Sequence, residues 1–461
     1  MAATDTDGTF ADPGRTHILM ITNHGVHEWN VIPGEPDTGG QNVYVNQFTE
    51  ALIAQGYRVT IVNRGGYANP STGVQQVGVR FHPSGHARIL YVEDGDPEFV
   101  RKEDMAGHVP ALVADLESKL AADGDTYHLI ISHYWDAGVL GADLNARAEI
   151  RVPHIWVPHS LGALKKHNTN PSTWPGLRID ERIDREQVLL SQIDGVVATS
   201  TAIRDTLLHD YHYKAKYFLP PCVDIDRYRP RDDSECSDIF EFLADHSTLT
   251  AKELRSRLIV TEISRTDRTK RKNVLIEAFA QAQASVPDAF LAIALDPNAG
   301  DVYEQAMNLI RDHDLEDHVA VLGSVWEQLP CLYAATAIYC TPSVMEGFGI
   351  SAEEAAASGI PVIASDLVPF ATEYLLGEEP ERLAGNSNGS VLLQGAGAIV
   401  VPADDIEGFE HALRRLLEDD QLRSDMGAEA LRITVPYFTW ERHTRYLLDD
   451  LGVTPTPRPV P

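Results

Sequence analysis

Short apolar runs of strand length alternate with helical stripes through the first half of the chain. His17–Thr22 (HILMIT) is the first such run, and apolar residues then recur at helical spacing from Asn42 until Gly56, which can close the helix. A second run follows at Val59–Val62. Further runs of the same kind lie at His128–Ser132, His154–Val157 and Gly195–Thr199. This alternation predicts a doubly wound α/β domain built on a parallel sheet.

The same alternation begins again in the second half, after the acidic and polar region Arg229–Arg257. Its strand-like runs are Leu258–Ile263, Phe290–Ala294, Val319–Leu322, Ala337–Cys340, Val362–Ser365 and Gly397–Pro402. Two similar series predict two facing Rossmann-like domains. The predicted organisation is a first domain over residues 1–225, a linker with a helical insertion over 226–256, a second domain over 257–435, and a crossover helix with a proline-rich tail over 436–461.

Composition narrows the class of protein. The 461 residues are 43% hydrophobic and 23% charged, which is typical of a globular protein with a sizeable core. The formal net charge of -30 argues against nucleic acid or an anionic membrane as a partner. Since no apolar run approaches the ~20 residues needed to span a bilayer, we expect a cytoplasmic enzyme.

The cysteines predict no metal site. Cys222, Cys236, Cys331 and Cys340 show no C-x-x-C spacing. Their scatter favours reduced thiols over a disulfide framework or a zinc site. We expect all four to be buried structural thiols.

A glycine turn in Thr341–Pro361 combines backbone freedom with two carboxylates. Gly347 and Gly349 stand between a predicted strand and a helix that begins near Ser351. A helix start offers unpaired N–H groups and a partial positive charge to a phosphate or to sugar hydroxyls. Glu346 and Glu354 form an E-x7-E pattern, which by itself favours a capped surface helix with incidental acids.

Five basic residues crowd the segment Arg265–Lys272 (RTDRTKRK) of this acidic chain. Most charge runs are solvated loops. This segment, however, follows a predicted strand and precedes a helix for which Asn273 is a suitable N-cap. Arginine and lysine at the carboxyl edge of a sheet suit a diphosphate, so we expect at least two of the five to bind one.

Histidines follow two strands of the first half, in the loops Ser132–Gly138 (SHYWDAG) and Pro158–His167 (PHSLGALKKH). A lone histidine after a strand is more often a packing residue. Two at one edge of a sheet, with Lys165 and Lys166 beside them, favour a site.

The first loop of the chain also lies where ligands bind in parallel sheets. It carries His24, His27, Asp37 and the run Gly39–Gln41, but no G-x-G-x-x-G fingerprint. The missing fingerprint argues against a nicotinamide or flavin cofactor.

Taken in order along the chain, four motifs resemble those of the retaining glycosyltransferases of family 4, and most of all the sucrose-phosphate synthase branch. They are DTGGQNVYV at Asp37–Val45, PHSLGALK at Pro158–Lys165, SRTDRTKRKN at Ser264–Asn273 and EGFGISAEE at Glu346–Glu354. The resemblance implies the GT-B fold, in which two Rossmann-like domains face each other across a deep cleft.

The resemblance also implies residue roles. The catalytic set would be His159, Arg265, Lys272 and Glu346. The donor-binding set would be Gly40, Arg265, Lys270, Lys272, Glu346, Gly347, Phe348, Gly349, Ile350 and Glu354. The acceptor-binding set would be Gly40, Gln41, Lys102, His133, Lys165 and Arg182. The basic cluster is about two residues longer than the usual pattern of the branch, so either Lys270 or Lys272 could contact the diphosphate.

The implied reaction moves a hexose from a nucleoside-diphosphate sugar to a small anionic acceptor with retention of configuration. UDP-glucose and fructose 6-phosphate are the favoured pair. The alternative is a compatible-solute enzyme that uses GDP-mannose or UDP-glucose with a (phospho)glycerate or glucosylglycerate acceptor. The segment Phe81–Asp104 departs from the family pattern, which leaves the acceptor open. The resemblance implies that no metal or other cofactor is required and that Mg²⁺ at most stimulates the reaction. The expected partners are the small-molecule substrates, and homo-oligomers are left open.

Two rival functions remain to be tested. A glycoside hydrolase could use Glu346 and Glu354 as its acid and base, but that leaves the basic cluster unexplained. A sugar-nucleotide sensor that lost turnover would have less need of the whole set of histidine, arginine, lysine and glutamate. The sequence does not distinguish uridine from guanosine, nor does it identify the transferred hexose.

Overall fold

The structure, a computed structural model, describes residues 9–31, 39–232, 234–323, 325–383 and 389–456. The chain divides into two compact units. The first unit comprises Met1–Pro221 together with Trp440–Pro461, and the second comprises Cys222–Thr439.

Among the described residues, the first unit contains one eight-stranded sheet with the strand order β3-β4-β2-β1-β5-β6-β7-β8. The strands are β1 (His17–Ile21), β2 (Arg58–Arg64), β3 (Val79–Phe81), β4 (Ala87–Val92), β5 (Leu129–His133), β6 (His154–Val157), β7 (Gly195–Ala198) and β8 (Tyr217–Phe218). The helices are α1 (Gly40–Ala54), α2 (Val109–Asp123), α3 (Trp135–Arg147), α4 (Gly162–His167), α5 (Ile179–Leu190) and α6 (Thr201–His209). All pairings are parallel except that of β3 with β4, so ligand loops gather at one edge.

The second unit repeats this plan within its described residues, with the strand order β11-β10-β9-β12-β13-β16-β15-β14. Its strands are β9 (Leu258–Glu262), β10 (Ala289–Ala294), β11 (Val319–Leu322), β12 (Thr336–Thr341), β13 (Val362–Ser365), β14 (Glu381–Leu383), β15 (Leu392–Gln394) and β16 (Ala398–Val401). Its helices are α7 (Ile239–Ala244), α8 (Ala251–Leu254), α9 (Lys272–Ser285), α10 (Asp301–Asp312), α11 (Leu329–Ala335), α12 (Ile350–Ala357), α13 (Ile406–Glu418) and α14 (Asp420–Thr434). The first six strands in this order pair in parallel, and the last two, β15 and β14, extend the sheet in antiparallel fashion.

The apolar runs identified in the sequence are strands in both units, which confirms the predicted α/β class. Central strands such as β1 and β10 are buried along their whole length, as parallel strands covered on both faces must be. The sequence pattern missed β4. Its apolar run contains Arg88, which is buried and paired with Asp123 at 2.7 Å, so a charged residue interrupts the strand signal.

The predicted linker over 226–256 is not a separate segment. It belongs to the second unit, where Ile239, Leu243 and Leu254 from α7 and α8 join the hydrophobic core. The acidic surface of these short helices concealed three apolar anchors, which is why composition alone suggested a linker.

The last helix, α15 (Trp440–Leu451), belongs to the first unit. The indole of Trp440 donates to Gln47 at 3.0 Å and stacks on Phe48 of α1. Beyond the helix, Tyr57 donates to the carbonyl of Val453, and Thr16 donates to that of Thr454. The chain end is therefore held against the sheet up to Thr456, and the final prolines lie outside the described residues.

The expectation that all cysteines are reduced is wrong for two of them. Cys236 and Cys331 form a disulfide, although 95 positions separate them in the sequence. Such a distance gives no spacing signal, because disulfide connectivity follows from the fold. Cys222 and Cys340 are buried thiols as predicted, and burial raises the pKa of each well above its usual range. No helix among the described residues is both long and apolar enough to cross a lipid bilayer.

Candidate active site

The glycine turn of the second unit lies between β12 and α12. Gly349 has a φ of +106°, and a Cβ added there would lie 2.7 Å from Cγ1 of Val368, so both conformation and space require glycine. The ring of Phe348 is buried against Phe370, with ring centroids 5.5 Å apart. What Phe348 can offer a ligand is therefore its main chain. Ile350 begins α12, so the first amides of the helix face the turn.

The basic loop of the sequence meets this turn through Lys270. The ammonium of Lys270 lies 2.5 Å from Oε1 of Glu346, and the two side chains are 9% and 15% exposed. A main-chain hydrogen bond of 2.8 Å from Val344 to Thr269 ties the two loops together. Because β9 and β12 are neighbouring strands, their carboxyl ends bring these loops into one cluster, which we call the donor cluster: Arg265, Lys270, Glu346, Gly347, Phe348, Gly349 and Ile350.

The other basic residues of the loop divide into two kinds. Arg265 is 83% exposed, with Asp267 as a loose partner at 3.6 Å. Its guanidinium is therefore accessible to an anion. Arg268 pairs with Asp301, and Arg271 pairs with Asp404 at 2.7 Å. For these two the interpretation as a solvated loop holds.

The structure contradicts the placement of Lys272 in the diphosphate clamp. Helix α9 begins at Lys272, one position before the predicted N-cap Asn273, and the Lys272 side chain points into the interior with 1% exposure. Its ammonium donates to the carboxylate of Glu262 and to the carbonyls of Ser264 (3.1 Å) and Ala294 (2.7 Å). An ammonium has three donors, and all are used here. Burial lowers the pKa of Lys272, and the Glu262 carboxylate opposes that shift. Lys270, the alternative from the sequence, is the better placed lysine.

Glu354 sits one helical turn into α12, below the donor cluster. The hydroxyl of Tyr333 lies 3.4 Å from its Oε2 and donates to the carbonyl of Ser351 at 3.2 Å. The hydroxyl of Tyr228 also faces the carboxylate and lowers its pKa. Burial raises the pKa of Glu354 to about 7, and these hydroxyls and the nearby Arg227 oppose the rise. The carboxylate is thus held by two tyrosines on the side of the second unit that carries the donor cluster.

Two predicted histidines meet in the first unit. Nδ1 of His133 lies 2.9 Å from Nε2 of His159, at the carboxyl ends of β5 and β6. Burial lowers the pKa of His159 to about 3 and that of His133 well below its usual range, so both rings are neutral near pH 7. His159 has a φ of +54° and Tyr134 one of +76°. Backbone strain of this kind costs about 1–3 kcal/mol per residue and gathers at functional sites.

A pocket beside these histidines is lined by three of the predicted acceptor residues: Lys102, Lys165 and Arg182. Lys165 approaches Glu103 at 3.8 Å, and its side chain is 26% exposed. Tyr134 and Arg178 line the same pocket. The fold therefore collects four cations from three separate stretches of sequence, against the two acids Glu103 and Glu181. The excess of positive charge makes this a basic pocket, which favours an anion.

Arg182 is fixed within this pocket by a buried network. It donates to Glu186 at 2.8 Å, to the hydroxyl of Tyr134 at 2.5 Å and to the carbonyl of Ser160 at 2.6 Å. Glu186 also accepts from Tyr211 and from the main chain of Gly162. These bonds set the plane of the guanidinium that faces the pocket.

The remaining predicted acceptor residues lie at the start of α1. Gly40 is its first residue, and the amide of Gln41 donates to Thr22 at 3.1 Å, just after β1. Asp37, which the sequence placed in the same loop, lies outside the described residues.

Sequence analysis missed Arg178, Tyr134, Tyr228 and Tyr333. Arg178 had a usable signal, because it stands four positions before Arg182 and so on the same helical face. Tyr228 and Tyr333 had none, since they meet Glu354 from distant parts of the chain.

Models of known protein families match both halves of the chain. The model of the family described as "Glycosyltransferase Family 4" matches residues 38–227, and that described as "Glycosyl transferases group 1" matches residues 251–432. Mannosylfructose-phosphate synthase of Agrobacterium fabrum is 29% identical over 75% of this chain and 75% of its own. D-inositol 3-phosphate glycosyltransferase of Corynebacterium kroppenstedtii is 27% identical over 95% of this chain and 89% of its own.

The solved structure of sucrose-phosphate synthase from Thermosynechococcus elongatus aligns with a TM-score of 0.72 and 25% identity, over 95% of this chain and 98% of that one. Two doubly wound units, with a basic pocket in one and a glycine turn with paired acidic and basic residues in the other, define a glycosyltransferase of the GT-B fold. Together with the matches, this shows that the chain belongs to glycosyltransferase family 4 and confirms the resemblance seen in its motifs.

Proposed function

We propose that the protein transfers a hexose from a nucleoside-diphosphate sugar to a hydroxyl of a small phosphorylated acceptor, with the anomeric configuration retained. UDP-glucose and fructose 6-phosphate are the favoured substrates. The observation that carries the proposal is the donor cluster, in which Lys270 and Glu346 meet at a glycine turn beside the start of α12.

The donor cluster supplies complementary groups for the parts of a sugar nucleotide. Lys270 and the exposed Arg265 would bind the diphosphate through charge-assisted hydrogen bonds. The amides of Phe348 and Gly349 and the carboxylate of Glu346 would hold the hexose, and Glu354 would accept from the ribose hydroxyls. Lys270 is held at the turn by its ion pair with Glu346, so little reorganisation is needed for it to meet a diphosphate.

The chemistry would take place on one face of the sugar. The bond from the anomeric carbon to the diphosphate oxygen breaks, and the acceptor oxygen bonds to the same carbon from the same side. The leaving diphosphate takes the proton of the acceptor hydroxyl, while Arg265 and Lys270 stabilise its developing charge. His159 is neutral and would act as a hydrogen-bonding group to the sugar near its 6-hydroxyl.

The basic pocket of the first unit would hold the acceptor phosphate, through Lys102, Lys165 and Arg182. The names of the similar proteins support a phosphorylated acceptor, because each contains a phosphorylated sugar or polyol. Gly40, Gln41 and His133 would complete the acceptor site.

A second candidate is a mannosyl transferase that uses GDP-mannose. The name of the similar Agrobacterium protein contains a mannosyl group and a fructose phosphate, which favours this candidate. A glycerate or glucosylglycerate acceptor belongs with it as the compatible-solute alternative.

The test is a matrix of donors and acceptors on the purified protein, followed by nucleotide release. The donors are UDP-glucose, GDP-mannose and ADP-glucose, and the acceptors are fructose 6-phosphate, 3-phosphoglycerate, glycerate and glucosylglycerate. Release with UDP-glucose and fructose 6-phosphate alone is the expected result. Release with a glycerate acceptor alone would overturn the acceptor assignment, and release of free sugar without any nucleotide would revive the hydrolase.

A further inference from the structure

Glu354 is held by two tyrosines that come from distant segments of the second unit. Tyr228 lies in the segment before α7, and Tyr333 lies in α11. The hydroxyl of Tyr333 lies 3.4 Å from the carboxylate, and that of Tyr228 is near enough to lower the pKa of Glu354 against the effect of burial. The two tyrosine rings pack edge to face with centroids 5.9 Å apart. The geometry of Glu354 therefore depends on how these two segments are held together.

The disulfide joins the same two segments. Cys236 stands eight positions after Tyr228, and Cys331 stands two positions before Tyr333. A second contact joins the segment of Tyr228 to the residues just before α11. The guanidinium of Arg227 lies 4.2 Å from the ring centroid of Trp326 and donates to the main-chain carbonyl of Trp326. Arg227 also donates to the hydroxyl of Tyr228 at 3.1 Å, so this contact between the two segments includes the tyrosine itself.

We infer that the Cys236–Cys331 disulfide is a positioning element for the donor site, which holds Tyr228 and Tyr333 on Glu354, and that its reduction weakens donor binding. This inference rests on the proposed function, in which Glu354 accepts from the ribose. Reduction by a dithiol breaks the S–S bond: the protein disulfide takes up two electrons and two protons, and the dithiol leaves as its own disulfide. Cys331 is half-buried, so a small thiol can reach it.

A merely structural disulfide would affect stability and leave substrate affinity unchanged, so the readout is the separation of KM from kcat. With the disulfide intact and then reduced, we expect the KM for the donor to rise roughly three- to tenfold, the equivalent of one lost hydrogen bond. The kcat and the KM for the acceptor should stay within twofold. The double variant Cys236→Ser with Cys331→Ser should show the raised KM and no response to the thiol.

Two further variants keep the test independent of folding without the disulfide. Tyr228→Phe and Tyr333→Phe retain the rings and the bridge but remove the hydroxyls, and each should raise the donor KM. Tyr303→Phe on α10 is the matched control and should not. Reoxidation of the reduced parent should restore the original KM.

Calorimetric titration with UDP and GDP separates this inference from the proposed reaction, because it needs no turnover. Nucleotide affinity that changes with reduction in a protein without transferase activity would support the inference and overturn the proposed function. Normal turnover with a donor KM that is the same before and after reduction would overturn the inference alone. If neither nucleotide binds in either state, both fail.

Discussion

The ammonium of Lys270 lies 2.5 Å from Oε1 of Glu346, although 76 positions separate the two residues in the chain. The pair joins a strand-end loop rich in cations to a glycine turn that opens a helix. Each partner alone is a common feature of surfaces, and their contact is the reason that we propose a donor site here.

Lys270→Ala should lower kcat/KM for the donor by about 10²-fold, because it removes a cation that stabilises the leaving diphosphate. Because the side chain is 9% exposed and pairs with Glu346, the variant should also lose some stability, which chemical denaturation measures separately. Arg268→Ala in the same loop is the control, because its side chain pairs with Asp301 and is 76% exposed. Equal losses in both variants would show that the loop as a whole, and not Lys270, matters.

Lys272→Ala should instead destabilise the fold, by about 3–5 kcal/mol, since it leaves the Glu262 carboxylate buried without its partner. Chemical denaturation of this variant and of Lys252→Ala, an exposed lysine on α8, measures the difference. If the variant has normal stability but has lost donor turnover, the sequence-based assignment of Lys272 to the diphosphate clamp would be correct.

Lys102→Ala and Lys165→Ala should each raise the KM for a phosphorylated acceptor about tenfold or more, the scale of one hydrogen bond to a charged group. The KM for the donor should remain near that of the parent. Lys119→Ala on α2, where the lysine pairs with Asp115 at 2.7 Å, serves as the matched loss of charge. An effect on donor KM as large as that on acceptor KM would argue against an acceptor pocket.

Glu353 predicts a pH dependence of stability. The residue is fully buried, and neither carboxyl oxygen has a hydrogen-bond partner in the part of the chain that the structure describes. Burial, with the nearby Glu354, raises the pKa of Glu353 well above its ordinary 4.5. Above pH 4.5 the unfolded chain therefore releases a proton that the folded protein keeps, so stability falls as the pH rises.

Glu353→Gln should remove this pH dependence. Between pH 5 and pH 8 the variant should gain at least about 1.4 kcal/mol of unfolding free energy relative to the parent, the value of one pKa unit. Urea denaturation at several pH values measures it, with the exposed Glu304→Gln as the control. Parallel pH curves for parent and variant would mean that Glu353 is ionised or has a partner in solution.

Much of the fold follows from the sequence, because parallel strands that are covered on both faces leave continuous apolar runs. The central strands β1, β9 and β10 were predicted within a residue or two. The pattern fails where a charged side chain enters the interior, as Arg88 does in β4 and Lys272 does at the start of α9. Arg88 is neutralised by Asp123, much later in the chain, and Lys272 by Glu262 on the preceding strand β9. Neither pairing is marked by a sequence pattern, because the fold brings the partners together.

The candidate site, like the fold, was predicted from the sequence only in part. Loops at strand ends, such as those of His133 and His159, are placed by topology, so the sequence located them correctly. The choice between Lys270 and Lys272 depended on where α9 begins, and helix boundaries are weakly encoded. The roles of these residues in binding and catalysis remain predictions.

The first unit is discontinuous in sequence, because α15 packs against it after the whole second unit. Trp440 packs on Tyr44 and Phe48 of α1, and Val453 accepts from Tyr57. The second unit, in contrast, is one uninterrupted stretch whose two ends lie side by side, with Val223 donating to the carbonyl of Phe438 at 2.9 Å. During synthesis on the ribosome, the second unit can therefore complete its fold while the first still waits for α15. The domain that is translated first is the last to be finished, which reverses the usual order of folding from the amino end.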